Sequence, residues 1–158
     1  MSKYRPVEGN FSPDNARFAI VVSRWNGNIT ENLLNGALRA LARHGVADQA
    51  IQVVRVPGAF ELPLAAKKIA ELGRVDAVIV LGCVIRGGTP HFEYVCSECT
   101  RGVGEVALTT GIPIAFGVLT TDDLCQAEDR SAENTENKGE EAALTALEMV
   151  SLFRQLQA

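Results

Sequence analysis

Residues 77–94 read Ala77-Val-Ile-Val-Leu81 and then GCVIRGGTPHFEY (82–94). An uninterrupted run of apolar β-formers is the pattern of a strand buried on both faces. The glycine-rich turn Arg86-Gly-Gly-Thr-Pro90 ends it, and from His91 onward Val95, Gly102, Val103 and Val106 recur on one side at helical spacing. Strand, tight turn and helix together predict one βα unit of an open α/β sheet. In such sheets ligands bind outside the carboxyl ends of the strands. The free N–H groups of a helix start favour anions, and Gly87 and Gly88 leave the backbone open to close approach. His91 adds an imidazole, whose free pKa of about 6.5 suits proton transfer near neutral pH. The stretch reads as a phosphate-proximal acid–base site. Taken alone, it also fits an ordinary turn followed by an ordinary first-turn histidine.

The same alternation runs in both directions from this unit. Arg17-Phe-Ala-Ile-Val-Val22 and Ile51-Gln-Val-Val-Arg-Val56 read as strands, and Ile112-Pro-Ile-Ala-Phe-Gly-Val-Leu119 as a fourth. Asn28 is placed to cap the first helix, with Glu31 at capping-box spacing. Leu34, Ala37, Leu38, Leu41 and Ala42 form its apolar stripe, and Gly45 ends it. The second helix carries Leu62, Ala65, Ala66, Ile69 and Leu72 inward and stops at Gly73; the third stops at Gly111. Thr121 or Asp122 caps a short helix. A last helix starts near Asn137, with Glu140 at capping-box spacing, and buries Ala143, Ala146, Leu147, Val150 and Phe153. Repeated βα units imply a four-stranded parallel sheet with right-handed crossovers and helices on both faces. One domain is expected over 1–158, with 1–16 an extended N-terminal segment.

Composition narrows the function class. A net charge of −4 with scattered Lys and Arg argues against nucleic acid as a partner. No apolar stretch is long enough to span a bilayer. The start MSKYRPVEGNFSPDNAR lacks an apolar signal core, so the cytoplasm is the expected location. Cys83, Cys96, Cys99 and Cys125 do not form a disulfide framework pattern. Cys96-x-x-Cys99 lies a turn or more inside a helix rather than at its start, where a redox thiolate is stabilised. No second pair supplies zinc ligands. Small buried side chains are the expectation, with no metal and no cofactor.

The strand ends fall at Ser23–Asn26, Pro57–Glu61, Cys83–His91 and Leu119–Asp122. Trp25, the only tryptophan, follows the first strand, where it either packs or stacks on a flat ligand. Glu61 either caps the second helix or accepts from ligand hydroxyls. Arg130, among Glu128, Asp129 and Glu133, is either a solvated surface ion pair or a phosphate-gripping guanidinium.

Five motifs in order, SRWN (23–26), VPGAFELP (56–63), GCVIRGGTPHFEYV (82–95), FGVLTTD (116–122) and NKGEEAA (137–143), resemble those of the 6,7-dimethyl-8-ribityllumazine synthases. The resemblance runs from about Arg17 to the end of the chain. It implies a flavodoxin-like three-layer sandwich and the penultimate step of riboflavin biosynthesis. That step condenses 5-amino-6-(D-ribitylamino)uracil with 3,4-dihydroxy-2-butanone 4-phosphate. It also implies homopentamers with active sites between subunits, in some members closed into a sixty-subunit icosahedral shell.

Residue roles follow from the resemblance position by position. Trp25 matches the ring-stacking aromatic. Ala59, Phe60 and Glu61 match the segment on the ribityl chain and ring, and Cys83, Val84 and Ile85 the strand end on the pyrimidine. Gly88 and Thr89 match the backbone phosphate cradle, and His91 the proton-transfer residue. Phe116 and Arg130 match residues supplied by the neighbouring subunit, an aromatic and a phosphate-binding arginine, and Lys138 adds positive potential nearby. One departure stands out: Ser131-Ala-Glu-Asn-Thr-Glu-Asn-Lys-Gly139 replaces a glycine-rich link of the same length. Lost glycines remove positive-φ options for a kink, and Glu133 and Glu136 add negative charge, which bears on shell closure. A flavin- or lumazine-binding module without catalysis, and a shell-forming structural protein, are the rival readings; the full set of matching site residues argues against both.

Overall fold

The computed structural model describes residues 4–158. Four strands and five α-helices alternate: β1 (Phe18–Ser23), α1 (Gly27–Arg43), β2 (Ile51–Val56), α2 (Leu62–Glu71), β3 (Ala77–Ile85), α3 (His91–Thr110), β4 (Ile114–Thr121), α4 (Leu124–Ser131) and α5 (Lys138–Gln157). All pairings are parallel and the order is β2-β1-β3-β4, with β1 and β3 central. The sequence predicts a four-stranded parallel sheet, and this order is the flavodoxin-like one. The chain reverses direction across the sheet between β1 and β3.

Strand alternation divides the core into two layers. Phe18, Ile20 and Val22 of β1 pack with α1 and α5, while Ala19 and Val21 pack with α2 and α3. Every residue of β1 is buried, which is why its sequence shows no polar alternation. Edge strand β2 exposes Val53 and Arg55 instead. Residues 4–17 contain no helix or strand. They run along α5, where Asn10 N–H donates to Ser151 Oγ at 3.1 Å and Arg154 Nη1 donates to the Pro13 and Asp14 carbonyls at 2.9 Å each.

Several local expectations move. Helix α1 begins at Gly27, and its N-cap is Asn26 in the left-handed region (φ 57°), not Asn28. Glu31 makes no capping box, because its carboxylate is taken by Arg55 of β2. Strand β4 is shifted by two residues: Thr120 and Thr121 continue the ladder opposite Val84 and Ile85. The cap of α4 is therefore Asp123, whose Oδ1 accepts from Gln126 N–H at 2.8 Å. Leu72 lies beyond the end of α2 and is exposed rather than part of its stripe. Glu140 completes no capping box either; its carboxylate meets Arg43 at 2.5 Å. Phe153 is half-buried.

Asn137 does cap α5, and does more than its spacing predicts. It is buried, and its Nδ2 donates to the carbonyls of Asn32, Ser131 and Ala132 at 3.2, 2.8 and 3.1 Å. Its Oδ1 accepts from the N–H groups of Gly139 and Glu140 at 2.9 and 3.0 Å. One amide thus fastens the α4–α5 link to α1. The link turns without any residue at positive φ, so its missing glycines impose no backbone strain here. Of its two carboxylates, Glu133 meets Arg39 at 3.6 Å.

Candidate active site

Ligands in open parallel sheets settle where the strand order reverses. Here that place is the gap between the carboxyl ends of β1 and β3. Asn26 spans it, its Nδ2 donating to the Cys83 carbonyl at 2.9 Å. A hollow opens above this bond, lined by Trp25, Asn26, Ala59, Phe60, Glu61, Cys83, Val84, Ile85, His91, Tyr94 and Val95. Its volume of about 520 Å³ is on the scale of a small-molecule site. Trp25 is 63% exposed and Phe60 55%, so two aromatic faces are free at its mouth. The Trp25 N–H donates to the Pro57 carbonyl at 3.0 Å, and a Cβ at Gly58 would overlap the indole. One side of this tryptophan packs on Gly58 and the rest stands open.

Glu61 stands at the N-cap position of α2, but its side chain makes no cap hydrogen bond there. Its Oε2 accepts from Gly58 N–H at 2.9 Å, closing the short 3₁₀ turn Ala59–Glu61 rather than capping α2. Its other oxygen makes no hydrogen bond among the described residues. Burial pushes the Cys83 thiol up to about 11, and that of Cys99 likewise, so both are neutral at physiological pH. Cys83 is a small apolar wall of the hollow, and Cys99 a buried filler of α3. Cys96 is only half-buried.

Gly87, Gly88, Thr89 and Pro90 form an exposed loop from β3 to α3. Among the described residues, the N–H groups of Gly87, Gly88 and Thr89 have no hydrogen-bond partner, and no side chain lies within 4 Å of where a Cβ on either glycine would stand. His91, the first residue of α3, is exposed on the rim of the hollow. Gly88 and Thr89 line the loop beside it but not the hollow itself.

The remaining expected residues gather elsewhere. Phe116, Thr120 and Thr121 of β4, Arg130 of α4, and Lys138 and Glu141 of α5 line a second groove of about 430 Å³. Arg130 Nη1 donates to the Gln126 carbonyl at 3.0 Å, and Lys138 Nζ meets Glu141 Oε2 at 2.6 Å. Among the described residues Arg130 forms no ion pair with Glu128, Asp129 or Glu133. The lining residues of the two cavities share no member. Within one chain, Phe116, Arg130 and Lys138 do not meet Trp25, Glu61 or His91.

The sheet order is that of the flavodoxin-like sandwich the five motifs imply. The family model described as 6,7-dimethyl-8-ribityllumazine synthase matches residues 15–154. The chain belongs to this family. It is an enzyme, a transferase with the family's role in riboflavin biosynthesis. No helix among the described residues is long and apolar enough to cross a membrane, and no cluster of three or more His, Cys, Asp or Glu side chains there is placed to hold a metal ion.

Three lining residues of the hollow escape the sequence reading as site residues, and one of them, Val95, is legible only as part of the apolar stripe of α3. Tyr94, three positions after His91, shares its helix face and is 73% exposed; the spacing alone marks it. Asn26 was visible in SRWN only as a neighbour of the tryptophan. Its signal is its residue type, since asparagine is the non-glycine residue that best tolerates the left-handed region.

Proposed function

We infer that the enzyme condenses 5-amino-6-(D-ribitylamino)uracil with 3,4-dihydroxy-2-butanone 4-phosphate to give 6,7-dimethyl-8-ribityllumazine, phosphate and water. The observation that carries this reading is the separation of an aromatic, nearly uncharged hollow from a cationic groove, in a chain of this family. A flat, neutral heterocycle suits Trp25, Phe60 and the walls Ala59, Cys83, Val84 and Ile85. Glu61, with one free carboxylate oxygen, suits the ribityl hydroxyls. The unpaired N–H groups of Gly88 and Thr89 suit a phosphate, and Arg130 and Lys138 suit its charge.

In this reading the aryl amine attacks the ketone and forms an imine. Phosphate leaves, and the ribityl-bearing nitrogen closes the ring. Each step moves protons between nitrogen, oxygen and carbon, so a group at the rim that can both take and give a proton is useful. His91 takes that role, with a contribution of about 10² typical of positioned acid–base groups. Holding both substrates on one wall adds proximity. Arg130 and Phe116 reach a hollow only if a second copy presents its β4 edge, so we propose a homopentamer with each site built from two chains. A closed shell is compatible with an α4–α5 link that turns without strain. Both substrates are polar and one is charged, so neither crosses lipid unaided, and the cytoplasm is the proposed location.

The test is direct. Purified protein with both substrates is expected to develop lumazine fluorescence and release phosphate in equal amounts. Binding of the pyrimidine with no turnover would overturn the reading in favour of a binding module. Sedimentation of the same sample counts the subunits.

A further inference from the structure

Among the described residues the loop that carries the unpaired N–H groups is held only at its exit, where the Pro90 carbonyl accepts from Glu93 N–H at 3.1 Å, and its two ends are tied by one side chain. Arg86 is the residue before Gly87. Its backbone N–H donates to the Thr121 carbonyl at 2.9 Å, extending the β3–β4 ladder by one step. Its Nε donates to Asp122 Oδ1 at 2.9 Å, its Nη1 donates to Glu93 Oε1, and its guanidinium carbon lies 4.3 Å from the centre of the Phe92 ring. Phe92 and Glu93 directly follow His91 in the first turn of α3. One planar group therefore joins the end of β4, the entry to the loop and the exit from it. The loop between these anchors is four residues long, Gly87 to Pro90.

The geometry points to Arg86 as a positioning residue for the anion cradle and for His91. It acts through Glu93, Phe92 and Asp122 rather than on substrate, and it rests on the reading of the loop as the phosphate-binding side of the site. Three observations favour positioning over direct contact. Of its three guanidinium nitrogens, Nε and Nη1 are committed to Asp122 and Glu93, and its guanidinium carbon stands over the Phe92 ring. The carboxylate of Glu93 is held below the usual range chiefly by its hydrogen bond from Arg86, so the pair stays charged at neutral pH. Arg86 also lines neither the hollow nor the groove. A lysine at position 86 would keep the charge but reach only one of the carboxylates, because the planar fork is what spans both.

The experiment compares the intact wild-type protein with Arg86→Met, Arg86→Lys and the double variant Glu93→Gln/Asp122→Asn. Three quantities are measured: KM for each substrate with kcat, the Kd for inorganic phosphate by calorimetry, and the melting temperature. Arg86→Met is expected to raise KM for the butanone phosphate and Kd for phosphate by about tenfold and to lower kcat, the scale set by small misplacements of a catalytic group. KM for the pyrimidine and the melting temperature are expected to stay close to wild type. Arg86→Lys should recover part of the loss. The double variant should reproduce it although Arg86 is intact. Tighter phosphate binding in the double variant would overturn the inference, since a freed guanidinium would then be binding phosphate itself. Unchanged phosphate affinity in Arg86→Met, or equal losses on both substrates tracking a lowered melting temperature, would overturn it as well. A wild type that binds phosphate with this dependence on Arg86 but turns nothing over would refute the proposed reaction and leave the positioning role standing.

Discussion

Gly139 and Gly88 belong to two of the motifs that mark this family, and the fold treats them in opposite ways. A Cβ at Gly139 would collide with the Leu33 carbonyl, where the start of α5 crosses α1. Gly36, one turn further along α1, is excluded from carrying a side chain by the Asn137 amide. That glycine pair exists so that two helices and one buried cap can close on each other. At Gly88 a Cβ would meet nothing within 4 Å, and the backbone is not in the left-handed region. The chain by itself supplies no reason for a glycine there. A motif residue that packing explains belongs to the fold, and one that packing leaves free is, under the proposed function, open to what binds.

The sharpest way to break this contrast is substitution at Gly139. Gly139→Ala sets a methyl against backbone, which cannot move aside as a side chain can. Destabilisation of about 3 kcal/mol or more is expected, the upper end of overpacking costs. Denaturant melts should show it. The protein that remains folded should keep its KM for both substrates, and a KM change with unaltered stability would contradict the packing assignment.

Arg130→Ala comes next in size and acts on one substrate. Loss of a charge-assisted contact to phosphate is expected to raise KM for the butanone phosphate by about ten- to a hundredfold, with little change for the pyrimidine. Because Arg130 and His91 line separate cavities of one chain, mixing Arg130→Ala subunits with His91→Ala subunits should restore activity at interfaces that pair intact halves. Failure of mixed assemblies to regain any activity would require a site completed within one chain.

Gly88→Ala should show the reverse of Gly139→Ala. The position accepts alanine without strain, so stability is expected to hold or to rise by about 0.4–1 kcal/mol through the unfolded chain. KM for the butanone phosphate should nevertheless rise several-fold, because the methyl stands where an oxyanion approaches the backbone. A fall in melting temperature equal to that of Gly139→Ala would erase the distinction between the two glycines.

These contrasts also show what the sequence made legible. The βα alternation, the central position of 77–85 and the start of α3 at His91 follow from apolar periodicity and turn residues, because one face or both must be buried. Whatever depends on partners far along the chain was not legible. Glu31 carries a capping-box spacing, but Arg55 takes its carboxylate from a neighbouring strand. Asn137 looks like an ordinary helix cap, yet three of its hydrogen bonds reach carbonyls that only the folded α1 and α4 bring near. Arg86 is unremarkable in GCVIRGG until β4 places Asp122 beside it. The division of the site residues between two cavities was visible only through resemblance, since spacing along a chain says nothing about which copy a side chain serves.

Gly58 stands between the two cases and gives the smallest and most specific effect. Its nearest neighbours would be side chains, the indole of Trp25, which is largely exposed and can swing away, and then Glu61 Oε2 at 3.3 Å. Gly58→Ala should therefore cost little stability while tilting the one aromatic that faces the hollow from the end of β1. Trp25→Ala is expected to weaken the pyrimidine or its lumazine product by roughly 0.5–1.5 kcal/mol beyond the lost area, and Trp25→Phe to keep most of the binding. If Gly58 acts only by making room for the indole, Gly58→Ala should cost a similar amount in the wild-type background and almost nothing in Trp25→Ala, a coupling that a double-mutant cycle reads directly. Quenching of the single tryptophan on titration gives the affinity wherever Trp25 is present, and calorimetry gives it where Trp25 is absent. Equal costs in both backgrounds would mean that Gly58 contacts the ligand or shapes the Ala59–Glu61 turn independently of Trp25, and the glycine would then belong with Gly88 rather than between the two.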